Sequence, residues 1–219
     1  MHSSEKVILF NDIVGSTKLW GKYGDKMYNE LNRITTKVNK LLKVYTKSFI
    51  IKTIGDSFMI CFDTIYDALD FAVKLNSFLI NTKSKLDVRQ KVQFRTGIYS
   101  GIVNEKKIKI QNCIVKDFFG TPVNIASRLE SKVSIPDSIA IGIHSNRDVY
   151  NIQNFLKDND YLYEVDNFKK KCNLKTKTKT KTKTKTKTKN IITKCKTIRK
   201  LKGLNKEIKV LLIKRKIEK

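Results

Sequence analysis

The 219-residue sequence is 40% hydrophobic and 9% aromatic, enough to bury the core of one globular domain. Its formal net charge of +26 is uneven: Lys+Arg against Asp+Glu stand at 24 to 18 through residue 168 and 22 to 2 beyond it, so the body is mildly basic and the excess sits in the last quarter. Short apolar runs broken by charge exclude a transmembrane segment, the N-terminus lacks the apolar stretch of a secretory signal, and four widely spaced cysteines with two distant histidines (His2 and His144) argue against zinc or a disulfide scaffold and for reduced thiols in the cytoplasm.

Val7 to Asn11 is a short apolar run ending at Asp12 and predicts a buried strand. From Thr17 to about Leu42 apolar residues recur at helical spacing (Leu19, Tyr23, Met27, Leu31, Ile34, Val38, Leu41), with Ser16 or Thr17 as the N-cap. Phe49 to Thr53 and Ser57 to Phe62 predict a hairpin about Ile54-Gly55-Asp56, and Ile65 to Ile80 a second helix. Arg95 to Ser100 reads as a strand, Ile102 to Val115 as further extended segments around Glu105-Lys106-Lys107, Thr121 to Lys132 as a helix and Ser138 to Ile143 as another strand.

Lys175 to Lys189 alternates Lys and Thr with no apolar residue, which predicts a solvated, disordered insertion over residues 169–190. No stacking aromatics are interleaved there, so no specific nucleic-acid binding is expected and at most a weak polyanion contact. Ordered patterning resumes with Thr197 to Lys202 and Lys206 to Ile213, two strands joined by a Gly203 turn. The tract then interrupts one domain made of residues 5–168 and 191–217. Strand, helix, hairpin, helix and strand in that order predict a ferredoxin-like α+β fold, an antiparallel sheet with helices on one face.

Two carboxylates stand out. Asp12 closes the first strand and precedes Gly15-Ser16-Thr17, a turn whose N–H groups at a helix start favour an anion such as phosphate. Asp56 lies at the tip of the hairpin, which a ferredoxin-like sheet sets beside the first strand. Two carboxylates together with substrate phosphates are the usual way to hold Mg²⁺. Taken singly, each has a plainer reading as a turn or cap residue.

Four ordered segments, Val7-Ile-Leu-Phe-Asn-Asp-Ile-Val-Gly-Ser-Thr, Lys52-Thr-Ile-Gly-Asp-Ser-Phe-Met, Arg95-Thr-Gly-Ile-Tyr-Ser-Gly and Phe119-Gly-Thr-Pro-Val-Asn-Ile-Ala-Ser-Arg-Leu-Glu, resemble the successive signature blocks of class III adenylate/guanylate cyclase catalytic domains. The resemblance implies two Mg²⁺ or Mn²⁺ ions per site, held by Asp12 and Asp56 with the Ile13 backbone. It implies purine recognition by Lys52 with Asp117, ribose orientation by Asn124 and a transition-state role for Arg128. Gly15, Ser16 and Thr17 would meet the phosphates, as would Lys202 in the weaker match of the closing hairpin. It also implies a homodimer with two complete sites, since the metal carboxylates come from one subunit and the purine- and ribose-reading residues from the other. The reaction implied is conversion of ATP to 3′,5′-cyclic AMP and pyrophosphate by a two-metal mechanism. The alternatives are a guanylate or other cyclase of different base specificity, and a catalytically silent cyclase-fold protein that binds nucleotide or regulates another chain.

The residue types suit that chemistry. Asn124 and Arg128 are spaced i and i+4, so one helix face can present both to one substrate. Arginine offers a planar donor fork to charge growing on a phosphoryl group. Adenine, with N1 as acceptor and N6 as donor, suits a Lys donor beside an Asp acceptor, whereas guanine would suit a Glu and a small polar residue.

Overall fold

The side chains of β1 (His2–Ile13) alternate between two cores, which makes it the strand around which the molecule is built. Val7, Leu9 and Ile13 point into the larger core, while Ile8 and Phe10 enter a smaller one on the opposite face. Asp12 continues the second stripe. A computed structural model describes residues 2–87, 90–110, 113–161, 163–165, 196–198 and 207–215.

After β1 come α1 (Ser16–Tyr23), α2 (Asp25–Leu42), β2 (Phe49–Ile54), β3 (Ser57–Phe62) and α3 (Ile65–Asn81). Then follow β4 (Phe94–Ile110), β5 (Cys113–Phe119), α4 (Thr121–Arg128) with a π-helical turn (Leu129–Val133), β6 (Ser138–Ile143), α5 (Asn146–Asp158), β7 (Tyr163–Val165), β8 (Lys196–Ile198) and β9 (Ile208–Arg215). The described strands form one sheet in the order β2-β3-β1-β4-β6-β9-β7, with β5 paired to β4 and β8 to β9. The larger core joins β1 to Met27, Ile34 and Val38 of α2, Leu69, Ala72 and Leu75 of α3, and Val149, Ile152 and Leu156 of α5.

The α+β fold is the expected one, with two particulars added. Every pairing is antiparallel except β4 with β6, which run parallel. The long helices share one face, but α4 lies on the other, where Ala126 packs with Ile8, Phe10, Met59 and Phe118.

The elements differ from the sequence reading at several places. The helix expected from Thr17 to Leu42 is two helices, because Gly24 sits at φ 50°, ψ −121° between them. The N-cap of α1 is Gly15, in the left-handed region, rather than Ser16 or Thr17. The extended segments expected around Glu105-Lys106-Lys107 are two strands that meet after Ile110: β4 runs through those residues to Ile110 and pairs with β5 from Asn104↔Phe119 to Ile110↔Cys113. Beyond the main sheet this pair is a two-stranded ribbon, so charged residues there face water without breaking the ladder. Finally, α5 was not foreseen, although Ser145 and Asp148 form a capping box at its start.

β9 lies inside the sheet, between β6 and β7. The Lys-Thr tract, the proposed insertion boundaries at 169–190 and Lys202 lie outside the described residues. Cys61 is buried and Cys113 exposed, both as free thiols. No described helix is long and apolar enough to cross a membrane.

Candidate active site

The sheet register brings the first cluster together. In the β1–β4 ladder Asp12 stands opposite Arg95, whose Nη2 donates to Asp12 Oδ2 at 2.8 Å. The β2–β3 turn carries Asp56 back to the end of β1, where its Oδ2 accepts from the Ile13 N–H at 3.3 Å. Ser57, the first residue of β3, donates its hydroxyl to Asp12 Oδ1. Gly55, at φ 61°, supplies the left-handed residue that this tight turn needs.

Burial and the neighbouring Asp12 charge push the Asp56 carboxyl above its ordinary range, against hydrogen bonds from the Ser16 hydroxyl and the backbone N–H groups of Asp56 and Ile13. The Ser16 side chain therefore serves Asp56 instead of capping α1. Two carboxylates this close repel one another, and a divalent cation is the group that would relieve the repulsion. Among the described residues no three His, Cys, Asp or Glu are grouped to hold a metal. A cation here would rest on Asp12 and Asp56 and complete its shell with phosphate and water, which fits Mg²⁺.

Glu130, in the π-helical turn, adds a third carboxylate. Its Oε1 is 3.2 Å from Arg95 Nη2. Burial pushes it up to about 7, assisted by the charges of Asp12 and Asp56 and opposed by Arg95.

A second cluster bridges β2 and the β4–β5 ribbon. Lys52 Nζ donates to Asp117 Oδ2 at 2.7 Å, and Asp117 Oδ1 accepts from the Phe118 N–H at 2.8 Å. The Lys52 ammonium also lies 5.9 Å from the centre of the Phe119 ring. No hydrogen bond or ion pair joins this cluster to the Asp12 cluster among the described residues.

Asn124 and Arg128 lie one turn apart on α4, the first exposed and the second partly buried. Arg128 Nη1 is buried without a hydrogen-bond partner. Ser16 and Thr17 open α1 just after Gly15, in the first turn, where a helix supplies no acceptor for its own N–H groups.

Sequence reasoning thus anticipated Asp12, Asp56, Lys52 and Asp117 as pairs but missed Ser57, Arg95 and Glu130. Arg95 was visible only as the first letter of a signature block. Its position two residues before Gly97 on one strand face was the signal that could have set it opposite Asp12. Glu130 was hidden because a regular helix was expected through Lys132, and the π-helical turn changes which face it occupies.

The family of the adenylate and guanylate cyclase catalytic domain matches residues 1–187. An adenylate cyclase of Schizosaccharomyces pombe is 28% identical over 153 residues, 62% of this chain, and the match spans 9% of that protein's length. The guanylate cyclase domain of RhGC from Catenaria anguillulae, solved in complex with GTP, superposes with a TM-score of 0.65 at 16% identity, covering 99% of this chain and 100% of that one. The adenylyl cyclase CyaB from P. aeruginosa superposes with a TM-score of 0.61 at 16% identity, covering 97% and 96%. At such identities the structural matches establish the fold, and relatives of both base specificities share it. With the family match spanning most of the sequence, the chain belongs to the adenylate and guanylate cyclase catalytic domain family.

Proposed function

We propose that this chain is an adenylate cyclase, converting ATP to 3′,5′-cyclic AMP and pyrophosphate at the interface of a homodimer. The observation that carries the base assignment is the Lys52–Asp117 pair. Its side chains are 39% and 15% exposed, so a donor and an acceptor are held 2.7 Å apart where a ligand can reach them. Adenine N1 would accept from Lys52 while N6 donates to Asp117.

Asn124 would orient the ribose so that its 3′-hydroxyl lies in line with the α-phosphorus. Arg128, one turn later, would place its guanidinium on the charge that grows at the α-phosphoryl oxygens. Its Nη1, buried without a partner, is consistent with a group whose acceptor arrives with the substrate. Asp12 and Asp56, with the Ile13 backbone, would hold two Mg²⁺ or Mn²⁺ ions, which when bound acidify the hydroxyl and offset phosphate charge. Gly15, Ser16 and Thr17 would receive the phosphates at the start of α1. The homodimer reading is supported by the lack, among the described residues, of any hydrogen bond or ion pair joining the carboxylate cluster to the base-reading pair of the same chain.

The test is mass-spectrometric product analysis after incubating the purified protein with each of the four nucleoside triphosphates and Mg²⁺ or Mn²⁺, beside Asp56→Ala. Cyclic AMP that disappears in the variant is the expected result. Cyclic GMP or a cyclic pyrimidine would keep the reaction and overturn the base assignment. A folded dimer giving no cyclic product would replace the enzyme with a silent nucleotide-binding or regulatory chain.

A further inference from the structure

We infer that Arg95 is the resident counter-ion of the metal carboxylates, that it must leave Asp12 for a divalent cation to bind there, and that Glu130 is the positioning residue that receives it. The inference rests on the reading of Asp12 and Asp56 as the cation's ligands.

The geometry is that of a charge set between two carboxylates. Only Asp12 accepts its hydrogen bond, while the nearer oxygen of Glu130, Oε1, is buried without one. A single nitrogen of Arg95, Nη2, lies 2.8 Å from Asp12 Oδ2 and 3.2 Å from Glu130 Oε1, while its Nε is buried with no hydrogen-bond partner. The guanidinium is therefore pinned at one corner, and a modest swing moves it from one carboxylate to the other. Each of the two carboxylates has Arg95 as its sole ion-pair partner among the described residues. A cation on Asp12 and a guanidinium on the same carboxylate repel one another, so only one can stay.

Glu130 suits the receiving role by its placement. It is 8% exposed, and a carboxylate so buried gains strongly from a cationic partner. Gly97, on the same strand face as Arg95, has no side chain to hold the π-helical turn away, and this close approach is what sets Glu130 beside the guanidinium. In the arrangement proposed, the cation takes Arg95's place on Asp12 while Arg95 stays in the corner on Glu130, so each carboxylate keeps a cationic partner.

The test is Mn²⁺ binding to the nucleotide-free full chain at pH 8, read as the loss of the free-ion electron paramagnetic resonance signal, for wild type, Glu130→Gln, Arg95→Gln, the double variant and Asp56→Ala. We expect binding to weaken about fivefold in Glu130→Gln and to tighten about fivefold in Arg95→Gln, with Glu130→Gln changing affinity less than about twofold once Arg95 is gone. That loss of effect distinguishes action through Arg95 from the mere removal of a nearby negative charge. Additive effects of the two substitutions, or weaker binding in Arg95→Gln, would overturn the inference. If Glu130→Gln does not fold, Glu130→Asp, which keeps the charge and shortens the reach, takes its place in the cycle. Binding that Asp56→Ala leaves unchanged would overturn the metal-site reading itself, a failure distinct from additivity in the cycle.

Discussion

Gly97 lies so close to Glu130 that a Cβ added to it would stand 2.3 Å from the Glu130 nitrogen, and equally 2.3 Å from the Ala126 carbonyl oxygen. Both obstacles are backbone, so they cannot rotate away. Gly97→Ala should cost about 2–3 kcal/mol or more of stability, read from urea unfolding midpoints. An unchanged midpoint would mean that α4 and the π-helical turn lift off β4 without cost.

Glu130 makes the stability of the metal-free protein depend on pH in a defined sense. Its folded-state value is pushed up to about 7 from an ordinary 4.5, with burial the largest cause, Asp12 and Asp56 adding to it and Arg95 opposing. Between those two values the folded protein keeps a proton that the unfolded chain has released, so stability falls as pH rises through that window and levels off above it. Wild type should lose up to about 3 kcal/mol more than Glu130→Gln between pH 4.5 and 8. Parallel pH profiles of unfolding free energy for the two proteins would show that Glu130 is not perturbed.

Arg128 separates catalysis from stability. With Nη1 buried and unpaired, its removal forfeits little that holds the fold. Arg128→Ala should lower kcat about 10²- to 10³-fold, with KM changed less than about threefold. A rise in KM with kcat preserved would instead make Arg128 a ground-state binding residue.

The base-reading pair predicts a change of substrate. Lys52→Glu combined with Asp117→Ser presents an acceptor and a small polar group in place of a donor and an acceptor. The kcat/KM for ATP should fall at least about tenfold, with GTP becoming the better substrate. A proportional loss on both nucleotides would show that the pair supports the ribbon rather than reading the base.

Much of this was legible in the sequence because it is local. The short apolar run of Val7 to Asn11, the hairpin at Gly55 and the helical spacing of Ile65 to Ile80 each express a local preference that the fold does not override. Lys52 and Asp117 were paired through the resemblance, and the ribbon of β4 and β5 is what brings them together. Other features depended on tertiary context. Gly24 can end a helix or sit within one, and the structure uses it to end one. Glu105-Lys106-Lys107 is charged throughout yet continues a strand, because it lies in the ribbon where Lys106 and Lys107 are exposed. Arg95 and Glu130 meet only because a register on one side and a π-helical turn on the other put them there, and neither is written in a short window of residues.

The position of β9 has a consequence for how the chain acquires its fold. Ile208 to Arg215 fill the slot between β6 and β7, so β6, a strand with every side chain buried, has an open hydrogen-bonding edge until a segment far downstream has been made. During synthesis the earlier elements can collapse around β1, while that edge waits for its partner and offers itself to any other extended chain. A fragment ending at residue 187, where the family match stops, would hold every described residue of both clusters and still lack the strand that completes the sheet. Such a fragment is expected to aggregate through the open edge of β6 although β9, the last described strand, bears none of the described cluster residues.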